Sequence, residues 1–211
     1  DEVLDTSNLQ QPAAKERGAK KALRFKFQAK DHTIIEERND GFGAFKPQSK
    51  TGTVRLGNDY LSKEDGDLVA YVFKFDCRSI GSTSSGYAFG VANKSFSDWT
   101  STNRGQNGSC MLKGNGELVT TDGAFTSENK DYVHRKVIPE FKAKGLCDEG
   151  DVVCMEIDFE DMTLKIWNET RNDGNVFQVS IPNKPICPIV YLTQSKPRTV
   201  RISEQYAFKA K

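Results

Sequence analysis

Residues 154–161, CMEIDFED, place carboxylates at Glu156, Asp158 and Glu160, at every second position. In an extended strand such residues share one face, so the three acids form a row. Paired carboxylates can act as nucleophile, general acid and general base in hydrolysis. Next-but-one Cα atoms on a strand are about 6.5–7 Å apart, so Glu156 and Glu160 converge only through side-chain reach. Hydrolysis with retention needs the two carboxyl groups about 5–5.5 Å apart. A second reading competes: Met155, Ile157 and Phe159 face a core and the acids face water, as in any half-buried strand. Two features favour it. A sugar cleft needs aromatic platforms, and Trp99 and Trp167 are the chain's Trp residues. Thr163 and Leu164 also follow so closely that Glu160 and Asp161 are expected in a hairpin turn, which takes Glu160 off the strand face.

Other chemistry finds less footing. His32 and His134 are far apart and have no Cys at zinc spacing, so both read as surface histidines and no metal site is expected. NDG and EDGD are acidic glycine turns, but no twelve-residue calcium loop surrounds them. There is no G-x-S-x-G elbow. The GNG at 114–116 reads as a hairpin turn, because no helix follows to make a phosphate loop. No cofactor is implied. The basic stretch AKERGAKKALRFKF alternates Arg24 and Lys26 with Phe25 and Phe27. It fits a single-stranded nucleic-acid track, or a solvated edge strand whose lysines block pairing with other chains; the second is favoured.

These residues have to be positioned by short strands. The chain has 211 residues, with 36% hydrophobic and 10% aromatic side chains, 13 of them Phe, enough to fill one β-domain. Thirty basic and 29 acidic residues leave a net charge of +1, which gives no global argument for nucleic acid or an anionic membrane. No long apolar run or signal peptide is present. The chain opens on Asp1 rather than Met, so it is expected to be a piece of something longer. Five Cys, with no C-x-x-C pair, point to a reducing compartment, cytosol or nucleus. Three N-x-S/T sequons, at Asn93, Asn107 and Asn168, point the other way, but so short a pattern arises often by chance.

Residues 1–21 are polar and form a flexible or helical N-terminal arm; 22–211 form the folded domain. LRFKFQ, HTIIEE, TVRL, DLVAYVFKFD, GYAFGVA, SCMLKG, ELVTT, DVVCMEIDFE, MTLKIWN, NVFQVSI, CPIVYLT and TVRIS read as strands, separated by glycine turns. In DLVAYVFKFD, Val69, Tyr71, Phe73 and Phe75 share a face. DYVHRKVIPEFKAKG carries one helical turn at most, since Pro139 interrupts it. Strands at such regular spacing predict an all-β sandwich or barrel.

Residues 150–168, GDVVCMEIDFEDMTLKIWN, resemble the signature hairpin of SPRY domains: Gly150-Asp151, Asp158, Thr163-Leu164, Trp167 and Asn168. YAFGVANKSF, PICPIVYLT and GDLVAYVFKFD are similar to other strands of that family, in the right order, and the resemblance spans about residues 23–202. A longer NETRNDGN turn, a long insertion over 120–149 and the absence of evident PRY motifs make the chain a divergent member. The resemblance implies a bent antiparallel β-sandwich of the concanavalin A-like jelly-roll type. It implies a non-catalytic module that binds a protein or peptide partner through loops at one rim, within an adaptor, scaffold or ubiquitin-ligase-type protein. Glu156, Asp158 and Glu160 also match the Glu-x-Asp-x-Glu strand of laminarinase-type and lichenase-type glycoside hydrolases, where the first Glu is the nucleophile and the last the acid/base. A lectin or hydrolase on a similar sandwich is therefore the alternative.

Loops carry specificity on a rigid sandwich. NKSFSDWTSTNRGQNGS is long and polar yet holds Trp99, either a core plug or an interface anchor, with Asn103 and Arg104 beside it. NETRNDGN supplies Arg171, Asn172 and Asp173 as a second binding loop. The partner is expected to be a protein or peptide, with no nucleic acid and no membrane.

Overall fold

The computed structural model describes residues 15–28, 36–38, 42–46, 52–64, 66–79, 86–96, 108–120, 134–192 and 197–211. Fifteen strands appear among them: β1 Lys20–Ala22, β2 Phe27–Gln28, β3 Glu36–Arg38, β4 Gly43–Lys46, β5 Gly52–Leu56, β6 Leu68–Ser79, β7 Tyr87–Asn93, β8 Ser109–Lys113, β9 Glu117–Thr120, β10 His134–Val137, β11 Val152–Asp158, β12 Thr163–Asn168, β13 Val176–Ser180, β14 Ile186–Leu192 and β15 Arg198–Lys209. One sheet runs β13-β12-β11-β6-β15-β4-β3, with β1 also paired to β15; the other runs β10-β9-β8-β7-β14-β5-β2. Every ladder is antiparallel, and the two sheets form the expected all-β sandwich. The helical signal at Pro139 resolves into a single 3-10 turn, Pro139–Phe141.

The core sits between the inner faces, built by strict alternation. Tyr71, Phe73, Phe75 and Cys77 of β6 point inward, as do Val153, Met155 and Ile157 of β11 and Phe89 and Val91 of β7. Their rings interlock, Phe75 lying 5.3 Å from Phe89 and 6.4 Å from Phe73 between centroids. β7 and β8 approach so closely that a Cβ on Gly90 would stand 1.9 Å from the Cys110 carbonyl oxygen. Only glycine fits there. Pro188, inside β14, falls between the isolated bridge at Ile186 and the start of the β5 ladder at Ile189, so its missing N–H breaks no ladder on that edge.

The segment 23–28, expected as one strand, instead crosses from one sheet to the other. It leaves β1 at Ala22, and only Phe27 and Gln28 join β5. Its alternation survives: Phe25 packs on Phe73 at 5.9 Å and Phe27 on Phe75 at 6.4 Å, while Arg24 and Lys26 are exposed. Phe27 is thus a core residue, and Phe25 is half-buried against the core.

Candidate functional site

The acid row lies on the outer face of the first sheet. Met155, Ile157 and Phe159 are buried in the core, as alternation requires. Glu160 and Asp161 form the turn into β12, completed by Met162 at φ 53°, so Glu160 does leave the strand face. One expectation is corrected. Asp158 does not face water: it is fully buried.

The N-terminal arm explains this. Over residues 15–21 the arm is extended rather than helical, and it ends in β1. Gly18 donates to the Lys209 carbonyl and Lys209 donates to the Ala19 carbonyl, which lays the arm along β15. Phe208, Ala70 and Asp158 stand in register across three neighbouring strands. The Arg17 guanidinium lies along that row. It stacks on Phe208 at 4.9 Å and reaches the acids on β11. Its Nη1 and Nη2 fork onto the two Glu156 oxygens at 2.8 Å each, and Nη2 also donates to Asp158 Oδ2 at 2.8 Å. Lys165, opposite Glu156 on β12, adds a contact at 3.5 Å. Lys15 bridges Asp158, Glu160 and Asp161 at 3.6, 2.8 and 2.9 Å. Hydrogen bonding from Lys15 holds the Asp161 carboxyl below its usual range.

Asp158 has a second duty. Its Oδ1 accepts the backbone N–H groups of Glu160 at 2.8 Å and Asp161 at 3.0 Å, which fixes the hairpin turn. Both oxygens are thus engaged, and the Glu156 and Asp158 side chains are 12% and 1% exposed. A hydrolytic pair needs carboxyls that substrate and water can reach. Here a guanidinium from the same chain occupies that position.

The opposite end of the hairpin accounts for the other signature residues. Asn168 Nδ2 donates to Asp151 Oδ2 at 2.7 Å and to the Leu146 carbonyl at 2.8 Å, and its Oδ1 accepts the Arg171 N–H at 2.9 Å. Asp151 Oδ2 also accepts the Asp148 N–H. Gly150 precedes it at φ +86°, a backbone region that L side chains rarely adopt. Gly150-Asp151 and Asn168 therefore tie the strand ends to the 144–151 loop.

Arg171 belongs to this knot. It donates to the Lys144 and Gly145 carbonyls at 3.0 Å each and pairs with Asp148 at 2.6 Å and Asp151 at 3.2 Å. Asn172 and Asp173 are exposed on the same turn. Trp99, Asn103 and Arg104 lie outside the described residues, so the structure does not bring the two loops together or apart. His32 lies outside them as well, and the side chain of His134 is not described. No group of three metal-ligating residues occurs among the described residues. Asn93 and Asn168 of the sequons are buried, the second fully hydrogen-bonded, which closes both to a glycan in the fold. Asn107 is outside the described residues. No described helix is long and apolar enough to cross a membrane.

Lys15 and Arg17 are the residues that sequence reading missed. The available signal was a basic pair in a polar arm with an acid row elsewhere in want of partners.

No protein-family model matches the chain, and no curated protein does. Solved structures do. The SPRY domain of human HERC1 is 16% identical, with a TM-score of 0.56 over 86% of this chain and 98% of that one. The PSpry domain of TRIM65 is 12% identical, with a TM-score of 0.55 over 87% and 93%. Stonustoxin is 13% identical, with a TM-score of 0.54 over 85% of this chain but only 27% of the toxin chain. The sandwich of this chain is thus a divergent example of the SPRY fold.

Proposed function

We propose that the chain is a non-catalytic protein-interaction module, which holds a peptide or a partner's surface at one rim of the sandwich within a larger adaptor, scaffold or ubiquitin-ligase-type protein. One observation carries the reading. The only carboxylate row that matched a hydrolase strand is closed by Arg17 of the same chain, so Glu156 and Asp158 serve the fold. The SPRY likeness of two solved neighbours supports the same reading. Asn172 and Asp173, both exposed, are the described residues of the loops that this reading assigns to the rim.

The test has two arms. The purified chain, incubated with β-1,3- and β-1,3-1,4-glucans, is expected to release no reducing sugar. Hydrolysis that disappears in Glu156→Gln would overturn the non-catalytic reading. In the second arm the immobilised chain captures proteins for identification by mass spectrometry, beside Asn172→Ala/Asp173→Lys. A protein retained by the parent chain and lost by the variant supports the rim; equal capture by both moves the site elsewhere on the domain.

A further inference from the structure

One edge of β15 is taken along nearly its whole length by β6. Its other edge is shared: β4 pairs with residues 198–201, and β1 with residues 206–208. Ile202 donates to the Phe42 carbonyl and Gln205 accepts the Leu23 N–H, so Ser203 and Glu204 lie between these partners. The register with β6 also shifts there, between Ile202 and Glu204, a bulge that re-aims the neighbouring side chains. A cavity of about 560 Å³ opens at this gap, within the range of ligand and peptide-side-chain pockets.

Its walls are specific. Leu23 and Phe42, both half-buried, and Ile202 supply apolar surface. Arg24 and Arg201 also line it, both exposed, and neither makes an ion pair with a described residue. Lys26 does not line the cavity, but its Nζ lies 5.6 Å from the centre of the Phe42 ring. The lining acid, Glu204, is already shared by Lys20 at 3.0 Å and Lys74 at 2.9 Å, so it does not answer the arginines. The wall is also rigidly placed. Gln205 accepts the Phe25 N–H at 2.8 Å and donates to the Phe25 carbonyl at 2.9 Å, pinning the crossing segment across the gap. Such preorganisation lowers the ordering cost of binding.

We propose that this cleft docks an acidic peptide segment of a partner protein. A large apolar side chain enters between Leu23 and Phe42, and flanking carboxylates are held by Arg24 and Arg201. The proposal rests on the reading of the chain as an interaction module. Charge complementarity selects the occupant: guanidinium forks fit carboxylates, and the apolar surface of Leu23, Phe42 and Ile202 fits a Phe, Leu or Ile side chain.

The experiment pans a displayed random-heptapeptide library on the chain, then measures synthetic versions of the selected peptides by fluorescence anisotropy. Expected are peptides with Asp or Glu on both sides of a large apolar residue. Their affinity should fall at least about tenfold in Arg24→Glu/Arg201→Glu and about threefold in each single Ala variant, weaken with added salt, and stay unchanged in the remote control Lys184→Glu. The Ala variants keep the test valid should the double reversal fold poorly. Peptides without acidic enrichment, or acidic peptides that bind the arginine variants as tightly as the parent, would remove the cleft while leaving an interaction module elsewhere. Selection of no peptide at all removes the cleft, and a simultaneous failure of partner capture removes the module reading with it.

Discussion

Arg17 and Arg24 stand on the same N-terminal segment, one on each side of β1, and meet opposite surroundings. Arg17 is 9% exposed, forked onto Glu156 and stacked on Phe208. Arg24 is exposed and makes no ion pair with a described residue. The first charge is satisfied by described acids, and the second by none of them. What separates them is the supply of carboxylates. The outer face around Arg17 holds a row of acids, whereas Glu204, the acid among the described lining residues of the cleft, is already shared by Lys20 and Lys74. A charge with no ion pair to a described residue, beside the apolar surface of Leu23 and Phe42, is where an external one gains most.

The largest expected effect is on Arg17. Arg17→Ala leaves Glu156 and Asp158 only the longer contacts to Lys165 and Lys15, and loss of the closest partner of a buried pair costs about 3 kcal/mol. Arg24→Ala should change stability by less than about 0.5 kcal/mol, as for other exposed side chains without fixed partners. Urea unfolding of the two variants measures both. Equal losses would break the contrast.

Next comes the far end of the same hairpin. Asn168→Ala removes three hydrogen bonds and leaves the Leu146 carbonyl without its donor, while Asp151 keeps the Asp148 N–H and Arg171, at about 2 kcal/mol. Double-mutant analysis sharpens the comparison. Arg17 and Asn168 act at opposite ends of β11–β12, so their effects should add to within about 0.5 kcal/mol. A clear deficit would mean that the hairpin responds as one unit.

The hairpin was legible in the sequence because its signals are local. Alternation gave Met155, Ile157 and Phe159 to the core, and the short spacing to Thr163 put Glu160 in a turn. The Gly150, Asp151 and Asn168 of the signature could be read as a pattern before their bonds were known. Arg17 could not be found in this way, because its partners lie 139 and 141 residues further along. No periodicity encodes that distance; it follows from the order β15-β6-β11, which brings the arm beside the acids. Arg171 shows the same limit. By type and position it fits a binding loop, yet the 144–151 loop folds beneath it and takes its guanidinium. The cleft was illegible for a related reason. It is a gap between β4 and β1 on β15, and a gap has no sequence of its own.

The smallest expected effect separates the exposed rim of the Arg17 cluster from its buried centre. Asp161 is held below its ordinary range by hydrogen bonding from Lys15, and Glu204 by Lys74 and then Lys20. A carboxyl whose folded value is lowered stabilises the fold above its unfolded value, 3.8 for Asp161 and 4.5 for Glu204. That contribution fades as pH falls through the folded value. Both side chains are near half exposed, so solvent screening limits each pair to about 0.5 kcal/mol or less. Unfolding followed from about pH 6 down to about pH 3 should therefore show Lys15→Ala slightly less stable at the upper end and converging with the parent at the lower end. Curves that stay parallel would mean that Lys15 contributes nothing through its charge, leaving Arg17 as the sole cation by which the arm holds the acid row.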